Sequence, residues 1–138
     1  MNKALLDTDI LSEIGKGKNP AIAANARIYR RTFGFYSFST VSVLEIVRGY
    51  QKAQQIQRLN AFMASIAAEE VFPLDVAAAE LAGRITGDLE RTGQPIGRAD
   101  PMIAAIAIDQ GLELVTGNTV HFQRIQQLGY PLALVNWR

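Results

Sequence analysis

Cysteine is absent from the 138 residues. Disulfides, thiolate nucleophiles, cysteine-ligated zinc and iron–sulfur clusters are excluded with it. Histidine is nearly as scarce. His121 stands alone, which excludes a paired-histidine nuclease mechanism and a multi-histidine metal site; it reads as a capping or surface histidine. Charge of either sign is not in excess: 14 basic residues face 13 acidic ones, for a net charge of +1. That argues against a protein that coats nucleic acid by bulk charge, but not against a nuclease whose carboxylates offset its basic groups. No apolar run approaches the roughly 18 residues of a membrane span. Asp7 and Asp9 interrupt the N-terminal segment before a signal-peptide core can form. The expectation is a cytoplasmic protein with no membrane partner.

What is present is an ordinary globular composition, 49% hydrophobic and 20% charged, in a chain of single-domain length, read as one domain over residues 1–138. Short apolar runs alternate with helical patterns. Ala4-Leu5-Leu6, the aromatic stretch 35–38, Val71-Phe72, residues 113–116 and 132–135 read as five strands. Helices are expected over 10–14, 21–31, about 40–50, 52–68, 76–91, from Asp100 to near Gly111, and 121–128. Ser39 or Thr40, Asp75 and Asp100 are the expected caps. Strands with little polar alternation, separated by helices, form a parallel sheet covered on both faces. Right-handed crossovers bring the C-terminal ends of such strands to one edge, where ligands of open parallel sheets bind.

The polar residues after each strand are therefore the informative ones. Asp7 follows the first strand and is either a site carboxylate or a helix N-cap, since Thr8 or Asp9 precedes the short helix at Ile10; Asp9 is an N-cap or a second residue approaching the same site. Glu45 lies in Val41-Ser42-Val43-Leu44-Glu45-Ile46-Val47, where few polar neighbours exist. A buried carboxylate there needs a partner or a cation, and the alternative is a surface pair with Arg48. Asp100, before Pro101, fits helix punctuation, yet a capping carboxylate can still offer its second oxygen to a metal. Thr116 stands at the fourth strand tip, close to Asp7 if the two strands are neighbours; its hydroxyl could hold a water or a phosphate oxygen or merely end the strand, and Asn118 follows in a turn. Three carboxylates gathered at one edge repel one another. A divalent cation with oxygen ligands, Mg²⁺ or Mn²⁺, relieves the repulsion and supports phosphodiester hydrolysis. Arg27, Arg30 and Arg31 share a helix as an ordinary basic face. Arg98 and Arg48, closest in sequence to the acids, are the candidates for phosphate contact.

These residues fall into an ordered pattern. Leu5-Leu6-Asp7-Thr8-Asp9-Ile10-Leu11-Ser12-Glu13 resembles the opening of PIN-domain ribonucleases of the VapC toxin type, commonly LLDTN followed by apolar residues and Ser-Glu. Ser39-Thr40-Val41-Ser42-Val43-Leu44-Glu45-Ile46 is similar to their second motif, and Pro95-Ile96-Gly97-Arg98-Ala99-Asp100-Pro101 to their third. Leu114-Val115-Thr116-Gly117-Asn118-Thr119-Val120-His121-Phe122 resembles the fourth. The resemblance spans residues 4–137. It implies a three-layer α/β/α domain with a five-stranded parallel sheet, Mg²⁺- or Mn²⁺-dependent endoribonuclease activity, and Asp7, Glu45 and Asp100 as metal ligands. Thr116 and Asn118 complete the implied catalytic set. It further implies an RNA substrate, a homodimer, and a small antitoxin that blocks the site. Asp9 stands where asparagine is usual, and Asn118 where many members carry a fourth aspartate.

Asp7-Thr8-Asp9 after an apolar strand also fits an aspartate-nucleophile phosphatase, but that chemistry, like that of a phosphorylated receiver domain, needs a late lysine. None follows Lys52. A catalytically inactive PIN-like binding scaffold is the other alternative, and the intact Asp7, Glu45 and Asp100 argue against it.

Overall fold

The computed structural model describes residues 1–138. Strand β1, Ala4–Leu6, is followed by helices α1, Thr8–Lys16, and α2, Pro20–Phe33. Strand β2, Ser37–Ser39, leads into α3, Thr40–Lys52, then α4, Ile56–Ser65, and a 3₁₀ turn at Ile66–Ala68. Strand β3, Glu70–Phe72, precedes α5, Val76–Arg91, and α6, Ala99–Asp109. Strand β4, Glu113–Val115, α7, Thr119–Gln127, and β5, Leu134–Val135, complete the chain. The segment expected as one helix over 52–68 is broken at residues 53–55. Gln54 adopts a left-handed conformation there, φ 56°, and its side-chain amide donates to the Gln51 carbonyl.

All strand pairings are parallel. Leu5 lies opposite Leu114, and Leu114 opposite Leu134, so β1, β4 and β5 form one sheet. Phe38 lies opposite Val71, and β2 and β3 form a separate pair. The expected five-stranded sheet is thus divided into three and two strands. Tyr29 supplies the physical reason. Its buried phenol oxygen accepts from the Ala4 amide at 3.2 Å and donates to the Ala4 carbonyl at 3.0 Å. Ser37 of β2 shares a 2.9 Å bond with the same oxygen. A side-chain hydroxyl therefore takes the Ala4 amide and carbonyl that a ladder with β2 would otherwise use.

The side chains of β1 and β4 alternate between two cores, as the period-2 geometry of strands requires. Leu5 and Leu114 pack with Ile85, Leu89, Ile103, Ile106 and Phe122 from α5, α6 and α7. Ala4, Leu6 and Val115 pack with Ile10, Ile22 and Tyr29 from α1 and α2. Helices cover both faces, which is the expected three-layer arrangement. Helix α6 is buried at Pro101 and continuously from Ile103 to Ala107, so the helix that carries Asp100 is fixed by packing on nearly all sides. No helix is long and apolar enough to cross a membrane.

Candidate active site

Asp7 leaves the tip of β1 with its backbone still in the ladder: its amide donates to the Val115 carbonyl at 2.9 Å. Its extended conformation makes it the N-cap of α1. Oδ1 accepts from the Thr8 amide at 2.8 Å, so Asp7 makes the N-cap, one of its two expected roles, and Asp9 falls inside the first turn instead. Oδ2 accepts from the Thr116 hydroxyl at 2.7 Å. With only 5% of the residue exposed, the carboxyl is pushed up to about 7, chiefly by burial and next by the negative charge of Asp9. The bonds from Thr116 and Thr8 oppose the rise without cancelling it.

Thr116 is fully buried. Its oxygen also accepts from the Asn118 amide at 2.9 Å, so the hydroxyl has a protein donor and a protein acceptor. Thr116 thus lies beside Asp7, as expected for the tips of neighbouring strands, and its hydroxyl proton is directed to Asp7. Asp9 approaches from the first turn of α1, and its Oδ2 accepts from the Gly117 amide at 2.9 Å. Its Oδ1 is buried with no hydrogen-bond partner. A Cβ on residue 117 would lie 2.9 Å from Asp9 Oδ2 and 2.6 Å from Arg138 Nε, so any larger residue there would displace the Asp9 carboxylate or the Arg138 side chain.

Glu45 follows the cap of α3, where the Ser39 hydroxyl accepts from the Ser42 amide. The surface pair with Arg48 does not form; no ion pair joins them. Glu45 Oε1 instead accepts from the Thr8 hydroxyl at 2.6 Å, and that hydroxyl also lies 2.9 Å from Ser42 Oγ. Asp100 is not the cap of α6. The helix begins at Ala99, which puts Asp100 in the first turn. Its Oδ2 faces Asn118 Nδ2 at 3.3 Å and His121 Nδ1 at 3.2 Å. Burial raises its pKa, opposed by His121 and reinforced by the charges of Glu45 and Asp9. His121 is therefore not a detached surface residue: it belongs to the site, as do Thr8 and Ser42, which sequence reasoning missed. The available signals were the placement of Thr8 between two aspartates and the spacing of Ser42 and His121, each three residues from a site residue on a helix.

Arg48 and Arg98 are exposed and line a groove of about 630 Å³ with Glu45, Asp100, Leu44 and Met102. Arg30 acts elsewhere in the fold. It grips Glu69 with bonds of 3.0 and 2.8 Å and lies 3.9 Å over the Tyr36 ring.

None of Asp7, Asp9, Glu45 and Asp100 is paired with a lysine or arginine. The donors are almost all oxygen, and Asp9 Oδ1 is an orphaned buried acceptor. No three carboxylate or imidazole side chains close into a preformed cage. The orphaned Asp9 Oδ1 and the oxygen donors beside it are chemically suited to a hard divalent cation such as Mg²⁺, which takes oxygen ligands and keeps several waters.

Comparison with known proteins gives a consistent picture. The family described as PIN domain matches residues 4–128. The chain is 33% identical over 129 residues to the tRNA(fMet)-specific endonuclease VapC of Shigella flexneri, covering 91% of this chain and 93% of that protein. It is 31% identical over 136 residues to ribonuclease VapC10 of Mycobacterium tuberculosis, covering 97% and 96%. Among solved structures, DNA-bound VapBC from Salmonella typhimurium superposes with a TM-score of 0.81 at 29% identity, covering all of both chains.

Proposed function

The chain belongs to the PIN-domain family, and from that premise we propose that it is a metal-dependent endoribonuclease acting in the cytoplasm as the toxin of a VapC-type toxin–antitoxin pair. The observation that supports this reading is that Asp100 lies close enough to feel the charge of Glu45, and Asp7 close enough to feel that of Asp100, while none of the three has a lysine or arginine partner. A buried carboxylate held near pH 7 is costly unless a proton or a cation accompanies it. Asp7, Glu45 and Asp100 would hold Mg²⁺, with Mn²⁺ able to substitute. Bound there, the ion supplies an acidified water and neutralises charge on the phosphoryl group.

Two residues act by positioning: Thr116 fixes Asp7 Oδ2 and Thr8 fixes Glu45 Oε1, while Asn118 faces Asp100 Oδ2 and completes the set. Arg48 and Arg98 contact RNA phosphates along the groove, while Leu44 and Met102 line it with apolar surface. A homodimer and a cognate antitoxin are part of the same reading. Helix α4 has no buried residue and leaves Ile56 and Met63 more than two-fifths exposed, with Leu44 of α3 at 64%; such a face supports coverage by another protein surface.

The test is cleavage of single-stranded RNA and of initiator tRNA by the purified chain with Mg²⁺, with Mn²⁺ and with chelator. Cleavage in both metals and none in chelator is expected. Equal cleavage in chelator, or none under any condition while metal binds, would overturn the reading.

A further inference from the structure

Helix α7 begins after an N-cap position occupied by Asn118, and the Asn118 side chain makes no capping bond. Its amide is turned inward instead. Nδ2 lies 2.9 Å from His121 Nδ1 and 3.3 Å from Asp100 Oδ2, and the third edge, His121 Nδ1 to Asp100 Oδ2, is 3.2 Å. Three polar atoms therefore form a closed triangle.

No single assignment makes all three edges hydrogen bonds while Asp100 is ionised. Nδ1 of an imidazole carries either one proton or one lone pair. With the Asn118 NH₂ inward, the amide donates to Asp100 and requires Nδ1 to accept, so Nδ1 and the carboxylate meet lone pair to lone pair. With the amide turned over, a protonated Nδ1 serves both neighbours, but Asn118 Oδ1 and Asp100 Oδ2 then oppose each other. Each assignment leaves one of the three edges without a hydrogen bond. A cation removes the conflict, because all three groups then present lone pairs to it. The edges also suit one: an octahedral ion with bonds of about 2.1 Å separates adjacent ligands by about 3.0 Å.

We propose that His121 Nδ1, Asp100 and the Asn118 amide oxygen form a nitrogen-containing ligand set that makes this chain favour a first-row transition-metal ion such as Mn²⁺ over Mg²⁺. The proposal rests on the reading that Asp100 belongs to a divalent-cation site. The side chains of His121 and Asp100 are 41% and 20% exposed, so an ion reaches them from solvent. With the imidazole proton on Nε2, Nδ1 offers its lone pair. Imidazole is a poor ligand for Mg²⁺, which keeps oxygen ligands and water, and a better one along the transition series.

The experiment uses the full chain, stripped of metal and free of RNA. Calorimetry with Mn²⁺ and with Mg²⁺ gives the selectivity, and electron spin-echo modulation of bound Mn²⁺ detects a directly coordinated nitrogen. The parent is expected to show ¹⁴N modulation and to favour Mn²⁺. His121→Ala and His121→Asn should lose the modulation, lower Mn²⁺ affinity roughly tenfold or more, and change Mg²⁺ affinity far less. Retention of a hydrogen-bonding group in His121→Asn separates ligation from simple positioning. Mn²⁺ bound without ¹⁴N modulation, or equal losses for both metals, overturns the role of His121 and leaves the carboxylate site standing. No Mn²⁺ binding at all overturns both.

Discussion

Thr116 and Asp7 stand 109 residues apart in the chain and meet through one 2.7 Å bond, in which the threonine hydroxyl donates to the aspartate Oδ2. The two residues end adjacent parallel strands, in register from Ala4–Glu113 to Leu6–Val115. The same threonine oxygen accepts from the Asn118 amide, so one buried hydroxyl links the acidic residue of β1 to the segment that faces Asp100.

Thr116→Val tests that link, because valine keeps the shape and removes both bonds. Asp7 Oδ2 and the Asn118 amide would be left without this partner in a buried setting. A loss of about 1–3 kcal/mol of stability is expected, measured by urea unfolding in chelator, together with a fall in RNA cleavage. Unchanged stability and unchanged cleavage would remove Thr116 from the site.

Asp7→Asn should abolish metal-dependent RNA cleavage with the fold intact, and Asp100→Asn should do the same. The pH dependence has a defined sign. Asp7 has a folded pKa of about 7, above the roughly 3.9 of an unfolded aspartate. The folded state therefore binds the proton more tightly, and its contribution to stability is complete below about pH 4 and lost as pH rises toward 7. In chelator, the melting temperatures of parent and Asp7→Asn should converge near pH 4. The variant should lead by several degrees at pH 7.5, at a few degrees per kcal/mol for a chain of this size. A constant difference across that range would contradict the burial argument.

Glu45→Gln preserves size and removes charge. It should weaken Mg²⁺ binding and abolish cleavage, because Glu45 is turned toward Thr8 rather than paired with Arg48. An exposed helix pair would predict a change of only about a few tenths of a kcal/mol in stability and none in turnover. Calorimetric Mg²⁺ titration and single-turnover cleavage distinguish the two.

Asn118→Asp adds a carboxylate beside Asp100. Metal affinity of the free protein should rise in a Mn²⁺ titration, and stability without metal should fall, since another negative charge joins an uncompensated group. Cleavage need not accelerate, because tighter binding in the ground state does not by itself lower the barrier. An unchanged Mn²⁺ isotherm would put residue 118 outside the metal's reach.

Apolar patterning by itself determined the order of strands and helices, the two-faced covering of the strands, and the strand ends where Asp7 and Thr116 emerge. Local capping chemistry was equally legible: Ser39 and Asp75 cap α3 and α5 through side-chain bonds to the third residue on. These are short-range properties, because a side chain's face follows from the period of its own element and a cap is made within one turn.

Tertiary structure decided the rest. Tyr29 divides the sheet between β1 and β2 by reaching Ala4 from 25 residues away. Asp100 gives up a cap to face Asn118 and His121, 18 and 21 residues on. Glu45 leaves Arg48, a neighbour in sequence, for Thr8 at a separation of 37. The physical reason is common to all three. Burial is written locally in the alternation of apolar and polar residues, whereas a buried polar group takes whichever partner the folded chain brings within about 3 Å, and that partner has no fixed spacing in the sequence.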